Sequence, residues 1–305
     1  MTEQPLQPKW LLGIDGGGST CRATIATPDG TILGQASSGA ANAFQDLAGT
    51  LANLQSATLQ ALQNAGLPHS QIHHCVAGIG LAGLNIPNCL AAIERWAHPF
   101  AAAHFCHDLH IACLGAHGDA LGAVIVIGTG SCGYRPDPSA PLLLGGHGFP
   151  HGDLSGGAYL GRQAIERVLL ALDGLAEPTL MIPAVLATAQ ATNSLELVSA
   201  LATATPADYG RYAQAVLTAA AQEDPAAMAI IAIASRYLQS LIDRLIEAQP
   251  TPQVALLGGL ASHAQHWLPP QYQAYLCSPQ GDAEQGALHL AQSTWRQHFP
   301  MEPTP

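Results

Sequence analysis

Three hundred and five residues, 48% of them hydrophobic and 10% charged, are enough for two packed domains and rule out a disordered chain. The net charge of −11 comes from 21 acids against 10 bases, and the arginines are scattered, so no basic patch for nucleic acid exists and acidic membranes are disfavoured as partners. Lys9 is the single lysine, which excludes a Walker A loop and a protein-kinase core, since both place a lysine on the phosphates; a Schiff-base enzyme would have to use a lysine beside Pro8.

Met1–Pro8 is polar and proline-containing and does not read as a signal peptide. Trp10–Ile14 is an apolar strand that runs into Asp15-Gly16-Gly17-Gly18-Ser19-Thr20. Cys21–Thr27, the turn Pro28-Asp29-Gly30 and Thr31–Ala36 follow as strand, turn and strand. Leu47, Leu51, Leu54, Thr58 and Leu62 then share one face of a helix that Gly66 terminates. Cys75–Ile79 is a short strand ending in glycines, Ala103–Cys106 another, and Leu109–Ala116 a helix. The plan then repeats. Gly122–Ile127 is an apolar strand ending in Gly128-Thr129-Gly130-Ser131, a proline-rich turn at Pro136–Pro141 precedes the strand Leu142–Leu144, and helices dominate from about Gly157 to Glu247, the first over Tyr159–Leu172. Val254–Leu257 is a last apolar strand, ending in Gly258-Gly259. Short apolar strands alternating with helices predict an α/β fold with both sheet faces covered, built from two halves of one plan. The longest apolar runs, such as Ala226–Ala234, are too short to span a bilayer.

Seven cysteines without a C-x-x-C pair read as reduced cytosolic thiols. The 14 histidines are dispersed; His147 and His151 flank Gly148 and Pro150 and cannot share a helix face, so loop or core histidines are the default over zinc ligands. At the first glycine loop, an apolar strand delivers Asp15 to its end, Gly16, Gly17 and Gly18 can present N–H groups to an anion, and Ser19 and Thr20 can add hydroxyls. Asp15 is placed to hold Mg²⁺ through water. A plain hairpin turn would look the same. Gly128, Thr129, Gly130 and Ser131 form a second loop of this kind, and two such loops could grip a nucleotide's phosphates. Asp108, at a strand end, could accept the proton of a sugar hydroxyl attacking a γ-phosphate, or simply cap the next helix. Asp153 is either a hydroxyl binder or a helix cap, and Asn42 either meets a polar ligand or caps the following helix.

In order along the chain, Ile14 to Thr20, Gly39-Ala40-Ala41-Asn42, Asp108 with Ala112 to Ala116, Ile127 to Ser131 and Leu257-Gly258-Gly259 resemble the N-acetylglucosamine kinase / glucosamine kinase family, within the BadF/BadG/BcrA/BcrD-type ATPases of the actin–hexokinase–Hsp70 superfamily. The resemblance implies two ribonuclease-H-like (actin-like ATPase) domains flanking a central cleft, over 1–117 and 118–285, with a C-terminal helix near 286–305 packed back on the first. It implies ATP and Mg²⁺ as cofactors, a small-molecule amino sugar as substrate, a cytoplasmic location and often a homodimer. Carried over by position, Asp108 is the base on the sugar 6-hydroxyl, Gly16 to Thr20 and Gly128 to Gly130 hold phosphates with Thr129 near the γ-phosphate, and Gly258 and Gly259 border the adenosine. Asn42, Ser131, Gly146, His147 and Asp153 fall at sugar-contacting positions, and Asp15 near Mg²⁺. Two departures bear on the sugar's C2 substituent: His147 stands where N-acetyl-sugar enzymes commonly have Trp, and Leu154-Ser155-Gly156-Gly157 follows Asp153 in place of an acidic or amide residue and Gly-Ser. The zinc motif found in many ROK-family sugar kinases is missing from the sequence. Two rival readings are an ATPase that activates a partner enzyme, which usually carries cluster-forming cysteines, and a sugar sensor without turnover.

Overall fold

Leu12 and Ile14 pack on one side of strand β1 (Trp10–Gly16) and Leu11 on the other, and a different helix covers each side. In the computed structural model, which describes residues 7–118, 122–137, 139–247 and 252–299, β1 is central in a sheet of order β3-β2-β1-β4-β5. β2 (Cys21–Ala26) and β3 (Ile32–Ser38) extend it as an antiparallel meander, while β4 (Cys75–Leu81) and β5 (Ala102–His107) run parallel to β1. β4 is buried at all seven positions, as expected for a strand with both faces covered. Helix α1 (Leu47–Asn64) packs Leu54, Ala57, Ala61 and Leu62 against Leu12 and Ile14, and the Asp46 carboxylate caps it by accepting the Gly49 N–H at 2.9 Å. Helix α2 (Pro87–Glu94), which the sequence pattern does not mark, starts on a proline, and α3 (Asp108–His117) leaves the end of β5.

The second sheet repeats the plan strand for strand. Its order is β10-β9-β6-β7-β8, with β6 (Ala123–Ile127) central, β7 (Ser131–Arg135) and β8 (Leu142–Gly145) antiparallel to it in turn, and β9 (Val254–Leu257) and β10 (Leu276–Cys277) parallel. Between β8 and β9 lie α4 (Gly157–Leu172), α5 (Met181–Ala189), α6 (Ser194–Ala200), α7 (Pro206–Gly210), α8 (Ala213–Ala220) and α9 (Pro225–Ile246); α10 (Ala261–Trp267) and α11 (Pro270–Gln273) separate β9 from β10. By length and composition α9 is the one described helix that could cross a membrane. Here it is a core helix: Ile230, Ile231, Ala234, Leu238, Leu241, Ile242 and Leu245 are buried, and Arg236, Asp243 and Arg244 face outward.

The chain divides into two units, one formed by Met1–Ala120 with Pro279–Pro305 and the other by Leu121–Ser278. The first unit is therefore discontinuous: α12 (Ala283–His298) returns to cover the open face of its sheet, placing Leu288 and Ala291 against Leu11 and Ala26. Residues 300–305 of the C-terminal helix expected near 286–305 lie outside the described residues. The approach of α12 is closer than ordinary side-chain packing. Gly13 and Gly78 are register partners on β1 and β4. A Cβ on Gly13 would stand 3.0 Å from the Leu288 N, and one on Gly78 would overlap the Ala287 carbonyl and lie 2.5 Å from the Ala291 N. The contact of α12 with α3 is equally tight: Gly115 lies on the Asp282 carbonyl and Gly286 on the Ile111 carbonyl. Gly78→Ala is expected to destabilise the protein by about 2 kcal/mol, whereas Gly18→Ala, with no atom within 4 Å of its Cβ position, stays within about 0.5 kcal/mol of the parent. Urea unfolding of the two variants checks this, and equal midpoints would reject backbone contact as a constraint.

Candidate active site

In the first unit, Asp15, half-buried, is the last residue but one of β1, and the chain turns from Gly16 through Thr20 into β2. The three glycines serve different ends. Gly16 is buried, and a Cβ there would overlap Leu81 and lie 2.9 Å from the Ala41 Cβ. The Gly16 and Gly17 carbonyls accept from the Ala82 and Ala41 N–H groups at 2.7 and 2.8 Å, which fixes the base of the loop. The Gly17 N–H donates to the Thr20 carbonyl at 2.9 Å and closes the hairpin, so it is not available to an anion. Gly18, Ser19 and Thr20 are exposed at the tip, and their N–H groups are the ones left for a ligand. The loop is thus a hairpin turn whose outer half keeps its donors.

Asp15 sits among other acids. Its register partner on β2, Arg22, places Nη1 3.4 Å from Asp15 Oδ2 and Nε 3.8 Å from Glu284 Oε1. The same Glu284 accepts from the Thr24 hydroxyl at 2.8 Å and from the Gln35 amide at 3.2 Å. Burial raises the Asp15 carboxyl most, then the Asp108 charge; Arg22 opposes them, Glu284 and Asp282 add to them, and the result is about 6. Asp108 begins α3. Its Oδ1 accepts from the Leu109 N–H at 2.9 Å and lies 3.0 Å from His107 Nδ1, while His107, not Asp108, occupies the cap position. Asn42 does not cap the following helix, one of its two expected roles. Its Oδ1 accepts from the N–H groups of Phe44 and Gln45 at 3.1 and 3.3 Å and closes a turn before α1, which Asp46 caps.

In the second unit, the loop Gly128 to Gly130 occupies the place between β6 and β7 that the first loop has between β1 and β2. It is bound to the start of α4: the Gly157 and Ala158 N–H groups donate to the Gly128 and Thr129 carbonyls at 2.8 and 2.9 Å. Gly130 lies directly under Asp153, since a Cβ there would overlap Asp153 Oδ2. Asp153 is 7% exposed and has φ of 62°, a left-handed conformation that few residues with a Cβ adopt. Its Oδ1 has no hydrogen-bond partner, nor do the hydroxyls of Ser131 (2% exposed) and Ser155 (0% exposed). Buried polar atoms left unpaired are costly and mark places where a ligand or water belongs. Gly146, exposed with φ of 67°, donates its N–H to the Ser131 carbonyl at 3.2 Å, and His147 beside it is exposed. Gly258, with φ of 91°, turns tightly over the Ile127 carbonyl, and Gly259 has open space around it.

The structure therefore brings Asp15 and Asp108 into one charge field in the first unit, and Gly130, Ser131, Gly146 and Asp153 into one neighbourhood in the second. Ser155 is the member of that neighbourhood that sequence reasoning passed over, because it looked like part of a departure from a motif. Among the described residues, no three of His, Cys, Asp and Glu are grouped so as to hold a metal by themselves.

The family model for BadF/BadG/BcrA/BcrD ATPases matches residues 12–291. The chain belongs to the BadF/BadG/BcrA/BcrD ATPase family. The matched span runs from β1 into α12 and takes in both sheets. Glucosamine kinase GspK of Vibrio cholerae serotype O1 is 33% identical over 283 residues, 92% of this chain and 95% of that protein. The crystal structure of a candidate N-acetylglucosamine kinase from Chromobacterium violaceum is 35% identical, with a TM-score of 0.84 over 93% of this chain and 99% of that one. A ROK family glucokinase from Streptomyces griseus, solved with glucose and AMPPNP, shares the fold at 17% identity, with a TM-score of 0.53 over 94% and 99% of the two chains. The BadF/BadG/BcrA/BcrD member described here thus has the actin-like ATPase fold, with two five-stranded sheets.

The raised Asp15 carboxyl gives a pH signature. Between about 4 and 6 the folded protein keeps a proton that the unfolded chain, at 3.8, has already lost, so stability falls as pH rises through that window. Asp15→Asn removes this slope. It is expected to raise stability at pH 7 by on the order of 2 kcal/mol, since each tenfold change in a proton equilibrium corresponds to about 1.36 kcal/mol, with no gain near pH ~3.5, where both states hold the proton. Denaturant titrations at the two pH values test this, and an equal gain at both would reject the charge explanation.

Proposed function

We propose that the protein is an ATP-dependent hexosamine kinase that transfers the γ-phosphoryl group of ATP to the 6-hydroxyl of glucosamine or N-acetylglucosamine in the cytoplasm. The reading is supported by the similarity to GspK and to the Chromobacterium protein over nearly the full length of each. The observation that carries it is Asp108: a strand-end carboxylate, part exposed, in the same charge field as Asp15. In this reading Asp108 is the general base. Its Oδ1 accepts from the Leu109 N–H, which leaves Oδ2 to take the 6-hydroxyl proton as the oxygen attacks.

The donors present suit a magnesium nucleotide. Asp15, Asp108, Asp282 and Glu284 gather oxygen charge that Arg22 offsets only in part, and a hard cation is the natural complement. Asp15 would hold Mg²⁺ through water, in keeping with a site that lacks a full protein ligand set. When bound, the ion neutralises charge on the transferred phosphoryl group. In the first unit the N–H groups of Gly18 to Thr20 are the candidate phosphate donors; in the second they are those of Thr129 and Gly130, since the Gly128 N–H is given to the Gly130 carbonyl at 2.9 Å and shapes the loop, and no lysine is needed. Gly258 and Gly259 would border the adenosine, and Asn42, Ser131, Gly146, His147 and Asp153 would meet the sugar.

Coupled ADP release measured with glucosamine, N-acetylglucosamine, glucose and N-acetylmuramic acid tests the function. The expected result is turnover that depends on an amino sugar. Sugar-independent turnover would instead identify an activator-type ATPase, and saturable sugar binding without turnover a sensor. Asp108→Asn is expected to lower kcat by about 10²–10⁴ while ATP still binds; a near-normal rate removes Asp108 from the role. Asp153→Ala is expected to weaken sugar binding about tenfold or more with little effect on ATP, the size of a lost hydrogen bond to a charged group. Unchanged sugar affinity would reject its assignment.

A further inference from the structure

The orphaned hydroxyl of Ser131 and the carboxylate of Asp153 share a neighbour that no motif marks. Tyr237 lies on the central helix α9, remote in sequence from both. Its hydroxyl reaches the β7–β8 hairpin, where a Cβ on Gly145 would overlap it. Gly145 is the register partner of Cys132 and has φ of 69°; the next residue, Gly146, donates its N–H to the Ser131 carbonyl. The tyrosine hydroxyl therefore sits behind the turn that carries Gly146, beside the Ser131 backbone, whose carbonyl oxygen the same Cβ would approach to 3.1 Å.

We propose that Tyr237 is a positioning residue for the sugar-binding face of the second unit, its hydroxyl orienting Ser131 and backing the Gly145–Gly146 turn beside Asp153. The proposal rests on the reading that Ser131, Gly146 and Asp153 contact the sugar. A buried serine hydroxyl with no well-formed hydrogen bond has no preferred direction until a neighbour or ligand supplies one. Tyr237 is the phenol that faces it. Burial most of all, and then the charge of Asp153 and Cys132, push that phenol up from its ordinary value, while Ser131 pulls it down. The helix is itself fixed: its buried positions enter two hydrophobic clusters, and the Ser235 hydroxyl, two residues before Tyr237, donates to the Trp267 carbonyl at 2.7 Å. Asp153, in a left-handed conformation, gains from such a rigid support, because a strained residue holds its geometry only when its surroundings over-determine it.

Tyr237→Phe keeps the ring and removes the hydroxyl. Glucosamine and N-acetylglucosamine binding measured by calorimetry, with KM and kcat for sugar and ATP, tests the proposal. The expected outcome is a sugar Kd and sugar KM raised about tenfold, a KM for ATP changed less than twofold, and a melting temperature close to the parent's. Ser131→Ala combined with Tyr237→Phe is expected to be no worse than Ser131→Ala alone, because the two side chains act as one unit. Unchanged sugar binding in Tyr237→Phe, or fully additive losses in the double variant, overturns the proposal. Asp153→Ala separates the two levels. If it weakens sugar binding and Tyr237→Phe does not, the positioning role alone fails; if Asp153→Ala leaves sugar binding intact, the sugar-site reading fails and the proposal with it.

Discussion

Direct backbone contact between α12 and the paired glycines of β1 and β4 is the constraint on which the first unit is built. With Gly13 and Gly78 side by side in register, the helix settles onto the sheet at a distance that side chains would forbid. Gly115 and Gly286 do the same between α3 and α12. The consequence is electrostatic as well as steric. The start of α12 brings Asp282 and Glu284 within reach of Asp15, and Glu284 ties Arg22, Thr24 and Gln35 into one polar network behind it. The charge environment at the end of β1 is thus set by a segment nearly the whole length of the chain away.

The two glycine loops occupy equivalent places in two sheets of the same order, yet their neighbours hold them differently. The first keeps its tip open, with only Gly17 closing the hairpin. The second is tied to the N-terminal turn of α4, which commits the first amides of that helix to the Gly128 and Thr129 carbonyls. The open loop can adapt to a ligand; the tied one is preorganised. Preorganised donors are the more effective in stabilising charge that develops during a reaction.

Much of this was legible in the sequence, because the strongest local signals are apolar runs broken by glycine. Trp10–Ile14, Cys75–Ile79, Gly122–Ile127 and Val254–Leu257 all became strands, and each ends near a candidate site residue. β7 was missed because Ser131, Cys132 and Gly133 carry no alternation and follow a glycine turn, so pairing with β6 and β8 overrides weak propensity. α2 was missed for lack of a long apolar stripe. The use of each glycine was not legible either. A run of three suggested a uniform cradle, whereas one packs, one closes the hairpin and one is open. Tyr237 and Ser155 had no motif to announce them: one faces its partners from a distant helix, and the other is identified only by its missing hydrogen bond.

The order of segments also imposes an order of assembly. All of Leu121–Ser278 is contiguous, so the later half can collapse as soon as it emerges from the ribosome. The earlier half, although synthesised first, must wait with one surface of its sheet bare until α12 is translated. During that interval Leu11 and Ala26 lack their cover, and the nascent chain carries an apolar face that is a natural client surface for chaperones.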